Sequence, residues 1–190
     1  MALEVEAKFP SDPALSLDMP RRLAEAGGRF VRRVLEVNHI FDSPGRDLLS
    51  RGCGLRVREY RRVEGPPPSP TLTYKGPRQA GPLKTREEIE TGLEDPAATV
   101  AILAALGFAE AVSFEKRRES WSLGDCAVEL DEVPCLGHFI EIEGPDDRAV
   151  LRARDLLGLA GVPVEPKSYV ALLAEWCRRH GLPPVGIAFR

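Results

Sequence analysis

The sequence lacks the features that mark several common classes of protein. Its four cysteines, Cys53, Cys126, Cys135 and Cys177, form neither a C-x-x-C pair nor zinc-finger spacing. No apolar run is long enough to cross a membrane, and no signal-peptide pattern precedes the first charged segment. These absences argue against a structural zinc site and a membrane partner, and they predict a cytoplasmic protein with reduced thiols.

An excess of positive charge is also missing. The chain carries 26 Lys and Arg against 29 Asp and Glu, with a net charge of -3. A broad nucleic-acid-binding surface is therefore not expected, and any site for an anion must be local. At 190 residues without internal repeats, we expect a single domain over residues 1–182 followed by a tail at 183–190. The oligomeric state is left open.

Segments in which polar and apolar residues alternate recur along the chain, as is typical of half-buried strands. Glycine, proline and N-cap residues separate them from helix-like segments, and a proline-rich loop interrupts the series at 63–70. The predicted strands are 3–9, 31–42, 54–60, 71–75, 84–90, 113–123, 126–133 and 138–144. The predicted helices are 14–27, 95–106, 147–159 and 168–180.

Most of these strands carry charge on one face and apolar residues on the other. In the first, Glu4, Glu6 and Lys8 alternate with an apolar face. One such strand is typical of a solvated sheet surface, but repetition predicts a sheet that is apolar outside and charged inside. We therefore expect an α+β fold, a closed antiparallel β-barrel with a charged lumen and helices packed on its outside. The later charged faces are Arg56 and Arg58; Thr71, Thr73 and Lys75; Arg86, Glu88 and Glu90; Lys116 and Arg118; Glu129 and Asp131; Glu141 and Glu143.

Charges of both signs in one lumen need a ligand that satisfies both, because burying unpaired charge is costly. Arginine and lysine bind phosphate oxygens, and arginine can bind two at once. Clustered carboxylates suit Mg²⁺ or Mn²⁺. The pattern therefore predicts a small-molecule polyphosphate of the triphosphate type, bridged to the acids by metal.

The opening segment, Glu4-Val-Glu6-Ala-Lys8, resembles the E-x-E-x-K signature of the CYTH family, also called triphosphate tunnel metalloenzymes. The resemblance continues in order through "GLRVRE", "LTYKGP", "KTREEIE", "FEKRRESW", "VELDEVPCLGHFIEIEG" and "EPKSYVALL". This family includes class IV adenylyl cyclases, thiamine triphosphatases and inorganic triphosphatases. The resemblance implies an eight-stranded antiparallel barrel that forms a tunnel for the triphosphate.

The resemblance also implies roles for individual residues. Catalysis is assigned to Glu4, Glu6 and Lys8. The substrate phosphates are assigned to Lys8, Arg56, Arg58, Lys75, Arg86, Lys116, Arg118 and Lys167. The metal, Mg²⁺ or Mn²⁺, is assigned to Glu4, Glu6, Glu88, Glu90, Glu129, Asp131, Glu141 and Glu143.

One segment departs from the family pattern. Where many members read D-T-Y-F-D, this chain reads N-H-I-F-D, so that Asn38 and Ile40 replace an aspartate and a tyrosine. In some triphosphatases that tyrosine is thought to orient the attacking water. Its absence puts that form of activation in doubt here.

Three functions fit the sequence. The favoured one is a metal-dependent hydrolase of inorganic triphosphate or of an organic triphosphate such as thiamine triphosphate or a nucleotide. The alternative is a class IV adenylyl cyclase that converts ATP to cyclic AMP and pyrophosphate. The third is a non-catalytic polyphosphate or nucleotide sensor, against which the acids of the lumen argue, because a pure anion binder would gain from losing them.

Overall fold

The computed structural model describes residues 2–190 and contains every predicted strand and helix. The strands are β1 (Ala2–Ser11), β2 (Arg29–Asp42), β3 (Gly54–Glu64), β4 (Thr71–Gln79), β5 (Lys84–Gly92), β6 (Ala109–Leu123), β7 (Cys126–Val133) and β8 (Gly137–Gly144). The helices are α1 (Pro13–Glu25), α2 (Asp47–Ser50), α3 (Pro96–Ala105), α4 (Asp147–Leu156) and α5 (Tyr169–His180). The short α2 was not predicted. It begins at Asp47, the last residue of the expected turn at 43–47, and its four residues are too few to show a helical period.

The eight strands form one sheet that closes on itself. They are hydrogen-bonded in the order β1-β5-β4-β3-β2-β6-β7-β8, and β8 pairs with β1 to complete the ring. Every neighbouring pair is antiparallel. The prediction of an eight-stranded antiparallel sheet closed in a ring, with helices beside it, is confirmed.

The largest hydrophobic core lies outside the ring, between the sheet and two helices. Leu23 of α1 and Val150 of α4 pack in it with Phe9, Val128 and Ile142 from the outer faces of β1, β7 and β8. Because successive side chains of a strand point to opposite faces, burying these residues outside turns their charged neighbours into the ring. The outer core thus determines which residues line the lumen.

A second outer core covers β2 and β3. Leu103 of α3 is buried there beside Phe41 and Val57. Helix α3 begins at Pro96, and its N-cap residue Asp95 accepts a hydrogen bond from the backbone N–H of Ala98 at 2.9 Å. This cap holds the start of α3 in place.

The C-terminal residues lie along β6, where it lacks a partner on one side. Strand β7 pairs with β6 only from Arg117 onward. Before that point, the Ser113 N–H donates to the Pro184 carbonyl at 3.1 Å, and the Glu115 N–H donates to the Ile187 carbonyl at 2.8 Å. The tail therefore docks on its own sheet.

Two further expectations concern the whole chain. All four cysteines are free thiols. Across residues 2–190, no helix combines the length and the hydropathy needed to cross a membrane.

Candidate active site in the lumen of the ring

The interior of the ring encloses a cavity of about 770 Å³ with residues of all eight strands in its wall. Strand register brings the charged faces together, so that side chains distant in sequence become neighbours. We call the interior basic residues of the described chain the lumen bases: Lys8, Arg56, Arg58, Lys75, Lys84, Arg86, Lys116 and Arg118. The interior acidic residues are the lumen acids: Glu4, Glu6, Glu36, Glu88, Glu90, Glu129, Asp131, Glu141 and Glu143.

Lysines neutralise the acids of β1. The Lys75 ammonium donates to both carboxylate oxygens of Glu4 at 2.8 Å and lies 2.8 Å from a carboxylate oxygen of Glu88. Lys84 forms an ion pair with Glu6. The E-x-E-x-K carboxylates are therefore already paired with cations.

Asp131 anchors several groups on the opposite side of the lumen. Arg118 donates to its two carboxylate oxygens, each at 2.7 Å, and Lys116 donates to Oδ2 at 3.1 Å. The hydroxyl of Tyr169, at the start of α5, donates to the same Oδ2 at 2.8 Å. Arg118 also reaches Glu141 at 2.6 Å. Because its oxygens are engaged, Asp131 holds the surrounding bases in position.

Glu36 is a fully buried carboxylate between three cations. Arg58 and Lys116 each lie 3.2 Å from one of its oxygens, and Arg118 lies at 3.8 Å. Burial by itself would raise the pKa of Glu36, but the attraction of these cations outweighs it and holds that pKa well below its ordinary value. Glu36 therefore stays ionised and keeps the three bases together.

Negative charge is in excess around Glu143. In the described chain this side chain has no ion-pair partner. The Glu143 side chain lines the cavity but remains exposed. Partial desolvation, and then repulsion from Glu4, raise the pKa of Glu143 to about 7, although Lys75 opposes the shift. A cation placed here would stabilise the charged carboxylate.

The donor set fits a hard divalent cation by its chemistry. Glu4, Glu6, Glu88 and Glu143 offer carboxylate oxygens, which Mg²⁺ and Mn²⁺ prefer. Within residues 2–190, however, no three acidic, histidine or cysteine side chains stand in a ready ligating arrangement. Lysine ammonium groups hold these acids instead, so that a metal would bind by replacing them.

Several basic donors face the lumen without an acceptor. The Nε–H groups of Arg56 and Arg86 are buried and unpaired among the described residues. Burial and the neighbouring Arg58 lower the pKa of Arg56 to about 10, although Glu36 and Glu88 oppose this. An anion with several oxygens would satisfy these donors.

Lys167 stands apart from the other predicted phosphate ligands. Its ammonium lies 2.9 Å from Glu175 on α5 and is half exposed. Its backbone carbonyl instead accepts a hydrogen bond from Lys8, whose ammonium also lies 4.1 Å from the centre of the Tyr169 ring. Burial lowers the pKa of Lys8, while Glu141 opposes that shift. Lys167 thus contacts the lumen through its backbone, and its phosphate role remains a prediction.

Three residues that line the lumen are absent from the set predicted from the sequence. Lys84 stands two positions before Arg86 on the same face of β5, so extending the alternation by one step would have found it. Glu36 and Asn38 share the inner face of β2, where they are isolated polar residues between apolar ones. Their ion-pair and hydrogen-bond partners lie on the neighbouring strands β3 and β6, and the sequence does not show which strands pair.

Residues 2–169 match the family model described as the CYTH domain. The chain belongs to the CYTH domain family. A Methanocaldococcus jannaschii protein named "Putative adenylate cyclase MJ0240" is 32% identical over 141 residues, which are 74% of this chain and 76% of that protein.

Solved structures agree with the CYTH assignment. The PH1819 protein of Pyrococcus horikoshii is 31% identical with a TM-score of 0.75, covering 90% of this chain and 98% of its own. At 20% identity, "Putative adenylyl cyclase HpAC1" of Hippeastrum, described with a dominant triphosphatase activity, has a TM-score of 0.70 over 96% of this chain and 97% of its own. That last likeness bears on the fold alone.

One side of the lumen of this CYTH domain is apolar. Ile40, at the position where many members carry tyrosine, lines the cavity with Val112 and Phe114. Tyr169 lines it as well and belongs with Ile40 to the same hydrophobic cluster. The lumen thus offers an ionic region and an adjoining surface for an uncharged group.

Proposed function

We propose that the protein is a divalent-metal-dependent hydrolase of triphosphate substrates, which bind in the lumen as in a triphosphate tunnel. One observation carries the proposal: a single cavity combines buried arginine N–H groups that lack acceptors with a carboxylate, Glu143, that has no ion-pair partner among the described residues. A triphosphate with bound metal supplies both missing partners.

The residues then take distinct roles. The phosphate oxygens are assigned to Lys8, Arg56, Arg58, Lys75, Arg86, Lys116 and Arg118, with Lys84 added by its position beside Glu6. The metal, Mg²⁺ or Mn²⁺, is assigned first to Glu4, Glu6, Glu88, Glu141 and Glu143, with Glu90 and Glu129 nearby. Asp131, which the resemblance assigns to the metal, is instead given the role of orienting Lys116 and Arg118, because both of its oxygens accept hydrogen bonds from these bases. When bound, such an ion neutralises phosphate charge and polarises the phosphorus–oxygen bonds.

The lumen bases supply the electrostatic part of catalysis. Charge spreads over the equatorial oxygens of a phosphoryl group during its transfer, and fixed cations around it stabilise that charge. Arg118 is held by bonds to Asp131 and Glu141, so its guanidinium is oriented before a substrate binds. We assign Glu4, Glu6 and Lys8 to the reacting end of the triphosphate, where the acid excess lies.

A class IV adenylyl cyclase is the second candidate. It is favoured by the name of the M. jannaschii relative and by the apolar side of the lumen, which offers a surface for a purine. Hydrolysis needs only the ionic region and is therefore the simpler reading. A sensor that binds without turnover would not benefit from the uncompensated acid at Glu143.

Phosphorus NMR of the reaction products tests the proposal. The purified protein is incubated with Mg²⁺ or Mn²⁺ and, separately, with inorganic triphosphate, ATP and thiamine triphosphate. Orthophosphate with a diphosphate product is expected. Formation of pyrophosphate and cyclic AMP from ATP would instead identify an adenylyl cyclase. The absence of turnover with every substrate would contradict both enzymatic functions.

Two variants and a chelator test the metal assignment. Glu4→Gln and Glu6→Gln should each lower kcat by at least about 100-fold, because a neutral amide is a poor ligand for a hard cation. Excess EDTA should abolish turnover in the wild type. The matched control is Glu25→Gln on the exposed face of α1, which should leave kcat unchanged. Full activity of either lumen variant would refute its role as a metal ligand.

A further inference from the structure

Asn38 is the only asparagine in the sequence, and it lies inside the ring. It occupies the inner face of β2, opposite Arg58 of β3 and Phe114 of β6. Its residue surface is 1% exposed. A polar side chain buried this deeply requires hydrogen-bond partners for both ends of its amide.

Only one end of the amide has such a partner. The Arg58 Nε–H donates to Asn38 Oδ1 at 3.0 Å. Since arginine can only donate, this contact fixes the oxygen on the Arg58 side and leaves Nδ2 on the other. In the part of the chain that the structure describes, Nδ2 is buried and has no acceptor. The amide therefore presents an unused donor.

The nearest acidic side chain on this face does not take up the Asn38 donor. Glu36, two residues earlier, has an oxygen, Oε2, that also lacks a hydrogen-bond partner among residues 2–190, but it faces Lys116 at 3.2 Å and makes no hydrogen bond with Asn38 Nδ2. Arg56, on the strand that pairs with β2, also has an unpaired buried N–H. Unused donors on adjacent strands of one cavity wall indicate a ligand rich in acceptor oxygens.

We propose that Asn38 Nδ2 donates a hydrogen bond to a phosphoryl oxygen of the bound triphosphate. The inference rests on the proposed function and adds to it a ligand-binding residue outside the predicted set. In this chain Glu36 already supplies a carboxylate to Arg58 and Lys116, so that an aspartate at position 38 would still accept from Arg58 but would add a second negative charge facing the anion.

The Asn38→Asp substitution isolates this role, because it preserves the shape of the side chain and its bond with Arg58. Binding in the presence of Mg²⁺ is measured by isothermal titration calorimetry with the non-hydrolysable methylene-bridged analogue of triphosphate, because the wild type is expected to consume triphosphate itself. For Asn38→Asp we expect Kd to rise at least about tenfold, since a charge-assisted hydrogen bond is replaced by like-charge repulsion. Gln79→Glu is the matched control, the same amide-to-acid change on an exposed residue of β4, and Kd should stay within about twofold because solvent screens exposed charge.

A second variant covers the case in which Asn38→Asp fails to fold, as judged by circular dichroism and thermal unfolding. Asn38→Ala removes the donor without adding charge, so that Kd should rise about threefold to tenfold. If wild type binds triphosphate and the folded Asn38 variants bind equally well, the role of Asn38 is refuted while the proposed function stands. If wild type itself does not bind triphosphate, the proposed function fails, and this inference fails with it.

Discussion

At the scale of single residues, two glutamates of one lumen behave in opposite ways. The pKa of Glu36 is held below its ordinary value by three surrounding cations, despite complete burial. The pKa of Glu129 is raised, because burial outweighs the attraction of Arg118 at 3.7 Å and the hydrogen bond from Ser120. The number of close cations therefore decides which acid of the lumen is a structural ion.

This contrast predicts the effect of Glu36→Gln. Removing the carboxylate leaves Arg58, Lys116 and Arg118 without their shared counter-ion, and we expect the free energy of unfolding at pH 7 to fall by about 3–5 kcal/mol. Urea denaturation monitored by circular dichroism measures it. Glu129→Gln is the control and should cost much less, because the folded environment already disfavours the charged form of Glu129. Equal losses of unfolding free energy in the two variants would contradict the view that Glu36, and not Glu129, is a structural ion.

The pH dependence of the stability difference between wild type and Glu36→Gln follows from the lowered pKa of Glu36. A carboxyl whose folded pKa lies below its unfolded pKa contributes stability above the unfolded value, and that contribution is lost as pH falls toward the folded pKa. The stability gap between wild type and Glu36→Gln should therefore be constant near neutral pH and shrink as pH drops below about 4.5. Denaturation at several pH values checks this, and a gap that widened on acidification would show that the sign is wrong.

At the scale of elements, the tail completes the pairing of β6. Residues 184–187 bind the backbone of Ser113 and Glu115 before β7 begins to pair with that strand. The Gly186 N–H also donates to the Ser113 hydroxyl at 2.9 Å. An otherwise open strand edge is covered in this way, which limits pairing with other chains.

Deleting residues 183–190 should expose this edge. We expect the amide hydrogens of Ser113 and Glu115 to exchange at least about tenfold faster in the deletion variant, because the carbonyls of Pro184 and Ile187 no longer accept from them. Hydrogen exchange measured by NMR reports each amide separately. The core amide of Val128 on β7 serves as the control and should change far less. Unchanged protection at Ser113 would mean that the tail does not pair there.

The elements themselves were largely predictable, because alternation and capping act locally. All eight strands were expected, and residues 126–133 carry the predicted bounds without change. Pairings between distant strands are not local, so the meeting of Glu36 with Lys116 and Arg58 could not be read from periodicity. The same reason explains Lys167, whose sequence neighbourhood indicates the lumen while its side chain turns to Glu175.

At the scale of the whole molecule, the lumen is close to electrically neutral. In the described chain it holds eight lumen bases and nine lumen acids as defined above. A triphosphate carries several negative charges, so that its binding without a cation would leave a large net negative charge in a partly desolvated space. A metal ion that binds without triphosphate must displace the lysines that are already paired with Glu4 and Glu6. Each ligand therefore removes the electrostatic obstacle to the other.

This reciprocity predicts that triphosphate and Mg²⁺ stabilise the protein cooperatively. A ligand present at about 100 times its Kd raises the free energy of unfolding by about 2.7 kcal/mol. With both ligands present, the rise in Tm should exceed the sum of the rises produced by each alone, because each lowers the Kd of the other. Scanning calorimetry of the four conditions measures this, with the non-hydrolysable methylene-bridged analogue in place of triphosphate. Glu4→Gln should reduce the cooperative part while leaving a shift from triphosphate alone, since Lys75 then keeps only its ion pair with Glu88 and can meet phosphate. Strictly additive shifts in the wild type would show that the two sets of charges act independently.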